Sequence, residues 1–103
     1  MKSEVQKLNG LVEYQEGTIV SKTIINKDNG TVTIFAFDEE QELSEHTSPF
    51  DALLQVIEGK VEVSISGKKH YLTIGEMIIM PANKPHAVKA SIKFKMMLYM
   101  IKG

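Results

Sequence analysis

Hydrophobic and polar residues alternate along much of this chain with a period of two. The clearest case is the segment 61–66, in which Val61, Val63 and Ile65 alternate with polar side chains. Such alternation places one set of side chains on each face of a β-strand. Two further segments, 52–57 and 77–80, are apolar almost throughout, which favours strands that are buried on both faces. The pattern therefore predicts short strands.

Glycine, asparagine and proline separate these segments at short intervals. Asn29-Gly30 is typical of a tight hairpin turn because both residues tolerate positive φ, and Gly59 supplies the same freedom between two later strands. Pro49 and Pro81 cannot donate a ladder hydrogen bond, so loops are expected there. The strands are predicted at 18–26, 30–37, 43–46, 52–57, 61–66, 70–74, 77–80, 87–92 and 94–101.

No segment has the apolar spacing of an α-helix of ordinary length. Leu8, Leu11 and Val12 allow one short helical turn, which Gly10 and Gly17 would keep short. Many short strands with turn residues between them are typical of an all-β sandwich or barrel. We therefore predict an N-terminal lead-in over residues 1–17 and a single β-barrel domain over residues 18–103.

Composition excludes several classes of protein. With 103 residues the chain has room for one hydrophobic core, and its net charge of −1 creates no field that would attract nucleic acid or an anionic membrane. It has no cysteine, so a disulfide scaffold and thiol chemistry are excluded. The first residues lack the apolar segment of a signal peptide, and no run is long enough to span a membrane. A soluble, cytoplasmic protein is expected, with neither nucleic acid nor membrane as a partner.

Two of the histidines occupy positions from which their side chains could meet. His46 ends one predicted strand, and His86 follows a proline-containing loop at the start of another. Imidazoles on neighbouring strands of a small β-domain can converge on one interior point. They could then hold a metal, act as an acid and base, line a pocket, or simply satisfy each other's polar groups. His70 follows two lysines at a hairpin and is expected to be exposed and without a role.

The spacing around these histidines resembles the two motifs of the cupin family. The first motif has Gly, His, His, Glu and Gly at its fixed positions, which here fall on Glu40, His46, Ser48, Ala52 and Gly59. The second has Gly, Pro, Gly, His and Asn, which fall on Gly75, Pro81, Asn83, His86 and Ala90. Every interval within and between the motifs is kept. The resemblance implies an all-β fold, a single double-stranded β-helix (jelly-roll) cupin barrel.

The same resemblance implies a depleted set of metal ligands. Metal-binding cupins use two histidines and a glutamate from the first motif and one histidine from the second. This chain keeps His46 and His86 but has Ser48 at the second histidine and Ala52 at the glutamate. Alanine has no donor atom and a serine hydroxyl is a poor ligand for a transition metal. Asp51 is expected to point away, because neighbouring residues of a strand face opposite sides.

We derive three hypotheses for function. The first is a small-molecule-binding cupin, specific activity unknown, whose pocket is lined by His46, Ser48, Ala52 and His86. Because alanine replaces glutamate, the pocket loses a charge and gains space, which suits a mostly apolar or aromatic ligand that accepts hydrogen bonds from imidazole. Whether such a protein is also an enzyme stays open, and no catalytic residue is assigned.

The second hypothesis is a metal-dependent enzyme of the dioxygenase or isomerase type. His46 and His86 would hold a divalent transition metal (Mn, Fe, Ni or Zn), and water would complete the coordination shell. The cofactor is expected to be one of these metals, and the alternative is that the protein has no cofactor. The third hypothesis is a stand-alone regulatory or structural barrel. The resemblance also implies a homodimer, for which strand 18–26 and the last strand are candidate contacts.

Overall fold

The structure is a computed structural model that describes residues 3–102. Nine β-strands account for most of the described residues, and a single turn of 3-10 helix (Leu8–Gly10) precedes them. The strands are β1 Ile19–Lys27, β2 Gly30–Phe37, β3 Glu42–His46, β4 Asp51–Glu58, β5 Lys60–Ile65, β6 Lys68–Thr73, β7 Met77–Met80, β8 His86–Lys89 and β9 Phe94–Ile101. They form a five-stranded sheet in the order β1-β2-β9-β4-β7 and a four-stranded sheet in the order β3-β8-β5-β6. All pairings are antiparallel. The predicted all-β barrel fold is confirmed.

The turns lie at or next to the glycine and asparagine residues that predict them. β1 and β2 form a hairpin whose last pair is Lys27 and Gly30, so Asp28 and Asn29 make the turn, one residue earlier than the predicted Asn29-Gly30. β5 and β6 are joined through Ser66 and Gly67, which both have positive φ, 50° and 81°. Two positive φ angles in succession fit the right-handed twist of paired strands. Because this turn has only two residues, β6 begins two residues earlier than predicted.

The main core lies between the two sheets. Every second residue of β4 (Ala52, Leu54 and Val56) is buried there, as are Val61 and Val63 of β5. β4 lies inside the sheet, hydrogen-bonded to β9 on one side and β7 on the other. The prediction that 77–80 is buried on both faces is wrong, because β7 is an edge strand whose outward-facing Met77 and Ile79 are about half exposed. The remaining buried members of this core are Phe37, Leu72, Met80, Val88, Ala90, Phe94 and Met96.

A smaller apolar cluster lies on the outer face of the five-stranded sheet. Val12 is buried there with Ile34, Ala36 and Met97, and Leu11 packs beside them. The segment before β1 therefore covers part of this sheet from outside. Because both faces of β2 and β9 are covered in this region, these two strands carry apolar residues on each face.

A polar contact holds the same segment in place. Lys95 of β9 is only 6% exposed, and its Nζ donates to the carbonyl oxygen of Asn9 at 2.5 Å. Its Nζ also lies 3.8 Å from Glu58 Oε2 and 4.8 Å from the centroid of the Tyr14 ring. The Tyr14 hydroxyl donates to Glu58, and burial together with this carboxylate raises the Tyr14 pKa well above its ordinary value. The buried lysine thus has hydrogen-bonding and charged partners, as burial of a cation requires.

Of the two strands predicted to contact a second copy of the chain, only one is an edge. β1 lies at the end of the five-stranded sheet, whereas β9 lies at its centre and is hydrogen-bonded on both sides. β9 therefore cannot pair through its backbone with another chain, and pairing through β1 stays a prediction. Among residues 3–102, no helix is long and apolar enough to cross a membrane.

Candidate functional site

Pairing of β3 with β8 brings His46 and His86 together. The two residues are direct partners in the antiparallel ladder, so their side chains lie on the same face of the sheet. Their ring centroids are 4.3 Å apart and the ring planes meet at 65°, an edge-to-face contact. The convergence that the sequence predicts therefore has a direct cause, which is the register of these two short strands.

The two histidines differ in exposure. His46 ends β3 and is exposed, whereas His86 begins β8 and is 7% exposed. His86 shares its face of β8 with the buried Val88, which directs its ring toward the space between the sheets. One ring of the pair is therefore open to solvent, and the other lies behind it.

Each imidazole is oriented by a backbone carbonyl two residues earlier in the chain. His46 Nδ1 lies 2.7 Å from the carbonyl oxygen of Ser44, and His86 Nδ1 lies 3.3 Å from that of Lys84. A carbonyl oxygen can only accept, so in the neutral ring the proton is on Nδ1 in both residues. Both Nε2 atoms then carry a lone pair.

Burial lowers the pKa of His86 below its ordinary value of 6.5. The positive charge that His46 can carry acts in the same direction, and the bond to the Lys84 carbonyl opposes both. His86 is therefore neutral at neutral pH.

This shift predicts how stability depends on pH. Between pH 6.5 and the lower pKa of folded His86, the unfolded chain binds the proton more readily, so the free energy of unfolding falls as the pH falls. Below the folded pKa this contribution becomes constant. Urea denaturation from about pH 7.5 to about pH 5 should give a smaller decrease for His86→Gln than for the wild type.

The matched control is His70→Gln, on β6, two strands away from β8. The decrease in stability on lowering the pH should be smaller in His86→Gln than in this variant. Equal slopes for His86→Gln and the wild type would contradict the assignment of this effect to His86.

Ser48 lies in the loop after β3 and is engaged by local hydrogen bonds. Its Oγ accepts from the backbone N–H of Phe50 at 3.2 Å, and its carbonyl oxygen accepts from the N–H of Asn83 at 2.7 Å. Asn83 has a φ of 64°, so it adopts the left-handed conformation expected for a residue at a glycine position of the motif. The bond ties the loop after His46 to the loop before His86.

Ala52 lies on the other sheet. It is 6% exposed and pairs with Met80 on one side and Met100 on the other. All three belong to the main core or pack against it. The position at which metal-binding cupins have a glutamate is therefore occupied by a methyl group with apolar neighbours.

The donors present do not suit a transition metal. Catalytic metal sites normally hold their ion with three protein ligands, and here only His46 and His86 offer suitable nitrogen atoms. Asp51 is exposed, and its Oδ1 accepts from the N–H of Ala82 at 2.9 Å, so it is directed away as expected. Over residues 3–102, no group of three or more His, Cys, Asp or Glu side chains could hold a metal ion.

Several features of this region do not follow from the sequence motifs. The carbonyl oxygens of Ser44 and Lys84 fix the tautomers, and a backbone acceptor leaves no signal in the sequence. Ile65 of β5 pairs with His86 and adds an apolar neighbour. His70 is partly buried rather than exposed, because it pairs with the inward-facing Val63 and shares its face. The alternation of β5 could have indicated this, had the two-residue turn after it been recognised.

Sizeable clefts lie on other parts of the surface. One of about 410 Å³ is lined by Lys60, Glu62, Tyr71 and Lys89 among others. Another of about 530 Å³ lies between the N-terminal segment and β1. Neither is lined by His46 or His86.

Comparison with known families now decides what kind of barrel this is. The family model described as the cupin domain matches residues 31–102. The chain belongs to the cupin family. The match covers β2 to β9 and includes both histidines, so the resemblance read from the motif spacing is confirmed. A search of curated proteins gave no match.

Solved cupin-like structures share the whole architecture. A conserved protein of unknown function from Streptococcus pyogenes is 30% identical, with a TM-score of 0.94, and the match covers 100% of this chain and 90% of that one. A cupin 2 conserved barrel domain protein from Leptotrichia buccalis is 41% identical, with a TM-score of 0.88, over 91% of this chain and 46% of that one. A cupin superfamily protein from Desulfitobacterium hafniense is 22% identical, with a TM-score of 0.93, over 100% of this chain and 94% of that one.

Proposed function

We propose that this cupin binds a small organic molecule at the His46–His86 pair, in a pocket to which Ser48 and Ala52 also contribute. Binding alone is proposed, and no reaction is assigned. The observation that carries the proposal is the pair itself, one exposed ring beside one buried ring, with both Nε2 lone pairs unused by the fold. If the two histidines merely satisfied each other, one Nε2 would have to donate to the other, which the carbonyl bonds at Nδ1 oppose.

The environment of the pair favours an apolar or aromatic ligand. Ile65 lies beside His86 in the ladder, and Ala52, Met80 and Met100 lie together on the inner face of the opposite sheet. Methionine side chains adapt their shape to a bound group. Small β-barrels can enclose one small ligand between their walls.

A metal-dependent enzyme is the weaker alternative. It would need at least one further protein ligand, which neither Ser48 nor Ala52 supplies. A regulatory or structural role has no specific observation in its favour.

The test is a fragment screen read by the ring signals of the histidines. The chain has only three, so single His→Ala variants assign every signal. Ligands should shift the ring signals of His46 and His86 and leave that of His70 largely unchanged. Binding should weaken at least about tenfold in His86→Ala, because a hydrogen bond and its packing are lost together.

His70→Ala is the matched control and should bind as the wild type does. Fragments that bind only at other surfaces, or that bind His86→Ala with unchanged affinity, would overturn the proposal.

A further inference from the structure

The carbonyl bonds of the histidine pair determine which kind of ligand it can take. Both rings donate from Nδ1, to the backbone of Ser44 and Lys84. A neutral imidazole has one donor and one acceptor, so each ring presents only an acceptor, Nε2, to anything that binds. The fold therefore fixes the direction of the hydrogen bond before a ligand arrives.

The two acceptors cannot satisfy each other. Lone pairs on two nitrogen atoms repel, and the rings meet edge to face at 4.3 Å rather than in line. No described residue donates to either Nε2, and no side-chain nitrogen or oxygen within residues 3–102 is both sealed from solvent and without a partner. The two lone pairs are therefore within reach of solvent, and a ligand that replaces water there must itself donate.

We propose that the pair selects an uncharged hydroxyl donor on an apolar or aromatic body, with phenols as the simplest representatives. This inference rests on the proposed function and specifies the ligand class. It reverses the direction expected from the sequence alone, which was a ligand that accepts hydrogen bonds from imidazole. The oxygen of an ether or ketone has lone pairs but no proton, so it would be repelled by the lone pairs on the two Nε2 atoms. A carboxylate would be repelled more strongly, because it carries a full negative charge.

The apolar partner of His86 adds nothing that would favour charge on the ligand. Ile65, which pairs with His86, provides no countercharge. A carboxylate finds no donor at either Nε2, whereas a phenol hydroxyl requires only one acceptor. One phenol can donate to one Nε2, and a second adjacent hydroxyl, as in a catechol, can donate to the other.

The experiment compares phenol with anisole, which has the same ring and oxygen but no hydroxyl proton. Titration of the wild-type chain, followed by the ring signals of His46 and His86, should give an affinity for phenol about tenfold higher than for anisole, the effect of one net hydrogen bond. Benzoate should bind more weakly than both. In His86→Phe, which keeps an aromatic ring but has no acceptor, the preference for phenol should fall markedly, while His70→Phe should keep it.

A second measurement tests the premise without any ligand. Long-range ¹H–¹⁵N correlation spectra distinguish the tautomers of neutral histidine, and both His46 and His86 should be protonated at Nδ1. Protonation of His86 at Nε2 would overturn the inference.

The outcomes separate this inference from the proposed function. If anisole binds as tightly as phenol and shifts the same ring signals, the donor preference is wrong but the pair is still a binding site. If neither compound shifts those signals at millimolar concentration, the assignment of phenols is wrong. The proposed function then depends on the wider fragment screen.

Discussion

Replacing Ser48 with histidine and Ala52 with glutamate should convert this barrel into a metal-binding one. Ser48→His/Ala52→Glu restores the four ligands of the cupin motifs, because His46 and His86 are already adjacent. Affinity for Mn, Ni or Zn should rise at least about 100-fold, since even the loss of a residue that supports a metal ligand costs 10–100-fold. Elemental analysis after purification without chelators or an affinity tag should give near-stoichiometric metal for the variant and little for the wild type.

The control is Ser48→His/Ala52→Gln, which has the same size but no carboxylate. Because Ala52 is 6% exposed among apolar neighbours, the glutamate should lower the melting temperature in the absence of metal, and metal should restore it. Near-stoichiometric metal in the wild type, lost in His46→Ala/His86→Ala, would contradict our conclusion about the donor set and favour the metalloenzyme.

Substitution of Gly59 by alanine should destabilise the barrel strongly. Gly59 has a φ of 76°, and a Cβ there would lie 2.8 Å from Phe94 Cβ and still closer to the carbonyl oxygen of Lys93. The atom closest to this Cβ belongs to the backbone, which cannot rotate away as a flexible side chain can. We expect Gly59→Ala to lower the free energy of unfolding by about 3 kcal/mol or more, from left-handed strain and overpacking together.

Gly67→Ala is the matched control. Gly67 also has a positive φ, 81°, but nothing lies within 4 Å of the position that its Cβ would take. That variant should lose only about 1 kcal/mol, the strain contribution alone. Urea denaturation of both variants measures the difference, and equal losses would show that the contact with Lys93 and Phe94 relaxes easily.

Much of the fold could be predicted because local chemistry and tertiary structure agree. The hairpin signal at Asn29-Gly30, the alternation of β5 and the apolar run of β4 each indicate the element that forms, although the first turn lies one residue earlier than its signal. Asn83 takes the left-handed conformation that its motif position requires. Strand ends were less predictable. The strand predicted to end at residue 92 ends at Lys89, because the N–H of Ala90 donates to the carbonyl oxygen of Gln41.

The details of the site could not be predicted from the sequence, for a different reason. Motif spacing predicts that His46 and His86 meet, but the position of the ring proton depends on backbone carbonyls whose direction is set only by the finished fold. Similarly, nothing in the spacing indicates that Lys95 is buried. The free-energy cost of burying its charge is offset by contacts with Asn9 and Glu58, which are far away in the chain. Such partners emerge only from the three-dimensional arrangement.

The pairing of β3 with β8 has a consequence for how the protein folds. Hairpins such as β1–β2 and β5–β6 join neighbours in the chain and can form early, whereas His46 and His86 meet only after a long loop has closed. A chain that has formed its hairpins but not this long-range ladder has no histidine pair. Any molecule that binds the pair therefore recognises the finished barrel alone, and its binding energy adds to the stability of the whole cooperative unit rather than to one part of it.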